Sequence, residues 1–198
     1  MKRLHIINHL LRNKSNPSYL EIGVQNPSNT FDKINSADKV GVDPAVPSQS
    51  YTQGKGYQMT SDDFFSGSCG DKKFDIIFID GLHTEEQVDK DLVNSLAVLK
   101  ENGYIVLHDC NPSTPEFESF QKSGTVWRSI YKLRKNTNNL VISVVDTDHG
   151  CGIVSRGIPV PMNVKCDGKI NYQFLSEYRK EILNLISIDE FKKRYPLK

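Results

Sequence analysis

The 198-residue chain has no apolar run near the roughly 20 residues that a membrane-spanning helix needs, so a transmembrane helix is excluded. It also lacks an excess of one charge. Twenty-five Lys and Arg stand against 24 Asp and Glu, spread along the chain, for a formal net charge of +1. Without a basic face, neither a nucleic-acid nor an anionic-lipid partner is expected. Cysteine is scarce, and Cys69, Cys110, Cys151 and Cys166 form no CxxC pair, which argues against a zinc knuckle or a thioredoxin-type motif. They read as reduced thiols. The first residues, MKRLHIINHLLRNK, lack the long apolar stretch and small-residue cleavage site of a signal peptide, so the expected location is cytoplasmic. Internal repeats and a convincing linker are absent too. The expectation is one domain, 1–198, with an N-terminal helix over 1–18, a core over 19–156 and a helical segment over 157–198. A dimerisation role for that last segment is left open.

What is present centres on 74–112, FDIIFIDGLHTEEQVDKDLVNSLAVLKENGYIVLHDCNP. Its two apolar runs do not alternate, as expected of parallel strands covered on both faces. Between them, Val88, Leu92, Leu96 and Leu99 repeat at helical spacing, with Thr84 as cap, and Asn102-Gly103 closes the helix. Strands are predicted at 19–24, 39–43, 56–59, 74–80, 104–108, 141–145 and 151–155. Helices are predicted at 5–13, 31–36, 84–99, 126–135, 171–186 and 188–195, and Ser61 or Asp62 would cap a turn holding Phe64 and Phe65. The pattern predicts an α/β protein with a seven-stranded, mostly parallel sheet and helices on both faces.

Ligands of such sheets bind beyond the carboxyl ends of the strands. Asp80, His83, His108 and Asp109 should therefore share one cleft rim. Asp80 and Asp109, as hard oxygen ligands on neighbouring strand ends, can hold Mg²⁺ and leave water positions for substrate hydroxyls. Alternatively Asp80 caps the next helix and Asp109 orders the next loop. A neutral His83 can take a hydroxyl proton, or be a surface histidine. His108 suits zinc, iron or manganese better than Mg²⁺, or is a core residue. Glu21 lies inside a strand, where a charge needs a partner. Asp43 ends the second strand, where an acid can accept both hydroxyls of a ribose. Loop 111–123 is long enough to act as a lid. Asp146, Asp148 and His149 form a second polar cluster before a glycine hairpin, and Trp127 and Arg128 can wall a substrate pocket, with core packing the alternative for Trp127.

YLEIGV, VGVDP, FDIIFIDGLHTEEQVDKDL and GYIVLHDCNP together resemble the class I S-adenosylmethionine-dependent methyltransferases, over residues 19–156. The likeness is nearest to the branch with IDGxH and HD or ED strand ends, which includes metal-dependent sugar O-methyltransferases. The resemblance implies a Rossmann-like fold and S-adenosylmethionine as cofactor. Glu21 would lie at the methionine end, Gly23 and Asn26 in the cofactor-binding turn, Asp43 at the ribose, Ser61 and Asp62 at the adenine, and Asp80 beside the cofactor. Catalysis would fall to His83 as general base with Asp80 and Asp109, and a metal to Asp80, Asp109 and His108. The acceptor would be a small molecule or glycan bearing a hydroxyl. The first motif keeps only Gly23 of the family's three glycines, with Asn26 able to take a left-handed conformation in place of another. Two other readings remain: an NAD-dependent dehydrogenase or epimerase, which Glu21-Ile-Gly23 and Asp43 suit but whose GxGxxG turn and Tyr-x-x-x-Lys pair are missing, and a degenerate fold that serves as a binding module.

Overall fold

Both apolar runs of 74–112 lie at the centre of a single sheet in the computed structural model, which describes residues 1–166 and 168–197. The strands are β1 (Ser18–Ile22), β2 (Asp38–Val42), β3 (Lys55–Tyr57), β4 (Phe74–Ile79), β5 (Leu99–Leu107), β6 (Leu140–Val145), β7 (Cys151–Arg156) and β8 (Leu185–Ile186). Their order is β3-β2-β1-β4-β5-β7-β6-β8, and β7 runs antiparallel to both of its neighbours while the other pairings are parallel. From β1 the chain builds outward to β3, then crosses back to β4. The order reverses between β1 and β4, which opens a crevice at their carboxyl ends.

Successive residues of a strand point to opposite faces, and both faces are covered. Leu20, Ile22, Ile77, Ile79, Ile105 and Leu107 join one buried cluster, while Tyr19, Ile76, Phe78 and Val106 join another. The first cluster is completed by α3 (Glu85–Val98), α4 (Val126–Asn136) and α5 (Tyr172–Leu183), through Val88, Leu92, Trp127, Ile130, Leu175 and Ile182. The second is completed by α1 (Arg3–Leu11) and α6 (Ile188–Arg194), through Ile6, Ile7, Leu10, Leu11 and Phe191. This double cover explains why the strand sequences do not alternate. Among the described residues no helix is long and apolar enough to cross a membrane.

Four local expectations are corrected. An eighth strand exists, because the helix predicted over 171–186 ends at Leu183: Asn184 turns left-handed (φ 44) and frees Leu185 and Ile186 to pair with β6. The helix expected at 31–36 is a single 3₁₀ turn, Phe31–Lys33. α3 stops at Val98, and Asn102-Gly103 falls inside β5, whose register with β4 shifts in that first half. Thr60, and not Ser61 or Asp62, caps the short α2 (Ser61–Asp63), its hydroxyl accepting from the amide of Asp63 at 3.1 Å.

Candidate functional site

A cleft of about 580 Å³ opens at the β1/β4 switch point, lined from β1 to α3 by residues that include Glu21, Gly23, Asp43, Ser61, Asp62, Asp80 and His83. That volume lies within the range of small-molecule sites. Gly23 makes the crevice possible. Its φ is +83, and a Cβ there would lie 2.2 Å from the carbonyl oxygen of Asp80, so only glycine lets the loop after β1 lie against the loop after β4. The next left-handed residue is Gln25 (φ 54), not Asn26. Asn26 instead closes its own turn, its Oδ1 accepting from the amide and hydroxyl of Ser28, and it does not line the cleft.

Asp43, 8% exposed, is fixed by backbone: Oδ2 accepts from the amide of Gln25 and Oδ1 from that of Ala45, each at 2.8 Å. Each oxygen keeps a second lone pair. Glu21 is 1% exposed and accepts from the Tyr19 hydroxyl at 2.6 Å. Burial raises its pKa to about 8, with the Tyr19 bond opposing. At the other end of the cleft, Gln87 Nε2 on α3 donates to Asp62 Oδ1 at 2.9 Å and lies 3.2 Å from both Ser61 Oγ and Asp91 Oδ1. Gln87 and Asp91 both line the cleft, and the sequence reading missed them. The available signal was Asp91, a charge placed between the buried Val88 and Leu92 on α3.

The four rim residues do converge. His83 Nε2 lies 3.5 Å from Asp80 Oδ1 and 3.6 Å from Asp109 Oδ2. His108 Nδ1 lies 2.7 Å from Asp109 Oδ2 and 3.3 Å from Asp80 Oδ1. Burial would raise the pKa of Asp80, but the hydrogen bonds to His108 and His83 and the charge of Arg3 outweigh it and hold the carboxyl well below the usual range. His83 is pulled up by its bond to Asp80, against burial.

Two further residues complete the rim. Arg3, at the start of α1, places Nη1 2.8 Å from His108 Nε2 and 3.2 Å from Asp148 Oδ2. Burial disfavours charge on His108, and bonds to Asp109, Asp148 and Asp80 pull the other way, up to about 11. The Arg3 contact works against the charged form. A guanidinium N–H at 2.8 Å can donate only to a bare ring nitrogen, so Nε2 accepts and Nδ1 carries the proton. In that tautomer His108 donates to Asp109 and presents no lone pair to Asp80.

The metal-capable group is instead Asp80, His83 and Asp109, whose donor atoms lie within 4.8 Å of one another. His83 Nδ1 faces the carbonyl oxygen of Lys122, which can only accept, so the free nitrogen is Nε2. Metal-bound histidines are oriented in this way. Two carboxylate oxygens and one imidazole nitrogen fit a divalent cation, and suit Mn²⁺ or Fe²⁺ better than Mg²⁺. The candidate donor set among the described residues therefore contains His83 where His108 was expected.

Loop 111–125 is pinned along its length. Arg179 of α5 binds Asn111 Oδ1 and the carbonyl of Pro112, and Tyr172 donates to the carbonyl of Ser113 at 2.5 Å. Trp127, fully buried, donates to Glu118 Oε1 at 2.9 Å, and Arg128 donates to the same oxygen at 3.0 Å. These two residues hold the loop. At its end Ser123 donates to Asp109 Oδ1, and the Thr125 amide donates to the carbonyl of His83 at 3.0 Å.

A sheet of order 3-2-1-4-5-7-6 with strand seven reversed, and a cleft beyond strands one and four, is the fold of the class I S-adenosylmethionine-dependent methyltransferases. More particularly, residues 32–110 match a family model described as a methyltransferase domain. Among solved structures, an O-methyltransferase from Bacillus cereus in complex with S-adenosylhomocysteine aligns with TM-score 0.58 at 12% identity, over 77% of this chain and 78% of that one. TomG, an O-methyltransferase from Streptomyces achromogenes involved in tomaymycin synthesis and solved with S-adenosylmethionine, aligns with TM-score 0.56 at 13% identity, over 78% of each chain. MycE, a methyltransferase of mycinamycin biosynthesis solved with Mg, S-adenosylhomocysteine and mycinamycin VI, aligns with TM-score 0.54 at 18% identity, over 78% of this chain and 48% of its own. At these identities the likeness is one of fold. No curated protein matches the chain by sequence.

Proposed function

We propose that the protein is an S-adenosylmethionine-dependent methyltransferase of the cytoplasm that methylates a hydroxyl of a small molecule, sugars and glycans being the first class to test. One observation carries this reading. A single cleft runs from the Ser61-Asp62 turn past Asp43, Gly23 and Glu21 and ends at Asp80 and His83. An adenosine with an ammonium-bearing tail would meet an acid at the adenine amino group, at the ribose hydroxyls and at the ammonium.

When bound, S-adenosylmethionine supplies a sulfonium methyl, whose bond to sulfur breaks as the acceptor oxygen bonds to carbon. The chain aligns and deprotonates. Asp43 takes the ribose hydroxyls on its remaining lone pairs, and Ser61 and Asp62 take the adenine edge. Glu21 takes the ammonium, and the pinned loop 111–125 fixes the acceptor side. His83 accepts the hydroxyl proton at Nε2, and Asp80 and Asp109, each within 3.6 Å, face the imidazolium that forms. Alignment of this kind can supply about 7 kcal/mol or more of a bimolecular barrier.

The donor set supports a second reading of the same atoms. A divalent cation held by Asp80, His83 and Asp109 would lower the pKa of a bound hydroxyl. Nε2 of His83 has one lone pair, so it serves as base or as ligand and not both.

Labelled S-adenosylmethionine, screened against nucleotide sugars, glycans and phenols with EDTA or with added Mg²⁺ or Mn²⁺, tests both readings. Transfer that survives EDTA assigns His83 as base, and transfer restored only by metal assigns it as ligand. Thermal stabilisation by NAD and not by S-adenosylhomocysteine would overturn the proposal.

A further inference from the structure

We propose that Arg3 is a tethered cation that competes with a divalent metal ion for Asp80, so that α1 sets the metal affinity of the site. The proposal rests on Asp80, His83 and Asp109 being the metal-donor group.

Arg3 belongs to no strand of the sheet, yet it lines the cleft. Asp148 anchors it doubly: the backbone amide and Nη1 of Arg3 both donate to Asp148 Oδ2, at 3.0 and 3.2 Å. Asp148 is aimed by an unusual turn in which Asp148 (φ 50), His149 (φ 62) and Gly150 (φ 90) are all left-handed. Left-handed backbone at non-glycine residues persists where the surroundings over-determine it. Thr147, one residue earlier, donates to the carbonyl of Met1, which fixes the start of α1 against the same turn.

Held from behind by Asp148, the guanidinium reaches Asp80 Oδ2 only at 3.7 Å. This oxygen is the one turned away from His83 and His108, which face Oδ1. A dication on Asp80 would share one small carboxylate with a fixed positive charge. Like charges at such range repel, and Arg3, tied at three other points, cannot swing away freely.

The test is Mn²⁺ binding to the purified protein, read by the paramagnetic resonance of free Mn²⁺ and by calorimetry, with no methyl donor or acceptor present. Arg3→Met is expected to bind Mn²⁺ at least tenfold more tightly than the wild type, and Arg3→Lys to remain weak. Adding Asp109→Asn should remove the gain. Arg3→Gln replaces Arg3→Met should the latter melt below the wild type. Equal or weaker binding by the charge-removed variant, no Mn²⁺ binding by either protein, or a gain that survives Asp109→Asn would each overturn the proposal. Because metal affinity is read without methyl transfer, failure to find an acceptor leaves this result standing on its own.

Discussion

The hydroxyl of Ser123, 1% exposed, donates to Oδ1 of Asp109 at 2.8 Å. The carboxylate at the end of β5 is therefore aimed by a loop residue 14 positions downstream. Asp109 itself is left-handed (φ 59), so its own backbone does not set the side chain in an ordinary strand-end direction. Ser123→Ala leaves one buried acceptor without its donor, at a cost of about 1–2 kcal/mol. Methyl transfer should fall roughly tenfold, while calorimetry shows an unchanged affinity for S-adenosylhomocysteine. An equal loss in both would mean that the serine serves only the fold.

Gly23 is the residue whose replacement should separate folding of the sheet from assembly of the cleft. An alanine Cβ would stand 2.2 Å from the Asp80 carbonyl oxygen at φ +83. Strain and overlap together should cost roughly 2–4 kcal/mol. Gly23→Ala is expected to melt lower than the wild type and to gain no thermal shift from S-adenosylhomocysteine. A full shift would show that the two loops can part without loss of the site.

The buried acid Glu21 predicts a pH dependence. Burial is the main cause of its rise from 4.5 to about 8. An acid with a raised folded pKa binds more protons in the folded state than in the unfolded one, so the unliganded protein loses stability as pH rises from about 4.5 to about 8 and levels off above. A ligand ammonium beside Glu21 favours the ionised form. Affinity for S-adenosylhomocysteine should then climb across the upper part of that window, by up to about tenfold per pH unit. Glu21→Gln should flatten both profiles. Calorimetry at three pH values decides, and an unaltered slope in the variant would remove Glu21 from the ligand's contacts.

Asp43 is predicted to act on affinity alone. Asp43→Ala removes the acceptor of the Gln25 and Ala45 amides as well as the ribose contacts, and should weaken binding of S-adenosylhomocysteine by roughly 2–3 kcal/mol. Asp43→Asn, which keeps a shape able to accept one amide, should weaken it less. Equal affinities for wild type and Asp43→Ala would place the ribose elsewhere.

Residues whose positions follow from chain direction were legible in the sequence. Asp43, Asp80 and Asp109 end apolar runs that read as parallel strands, and parallel strands deliver their ends to one rim. His83 follows Asp80 by three residues, so it shares that rim. Contacts between distant segments left no such trace. No local pattern links Arg3 to Asp148 or Ser123 to Asp109, and without the Arg3 contact the tautomer of His108 had no basis. The remaining misses were one-residue choices between similar groups. Thr60 and Ser61 can both cap a helix, and Gln25 and Asn26 both lie in the first loop, where the left-handed Gln25 gives its amide to Asp43. β8 was hidden because Leu185 and Ile186 continue the apolar spacing of α5, and only the left-handed Asn184 breaks it.

The Arg3–Asp148 bond joins residues 145 positions apart. A growing chain makes Arg3 before β1, and its partner only after β1 to β6 have emerged. Closing so large a loop brings an entropic cost that only the assembled sheet can offset. The rim is accordingly expected to be among the last parts of the molecule to consolidate and among the first to loosen. Hydrogen exchange at the first turn of α1 would report the state of the site while the central strands stay protected.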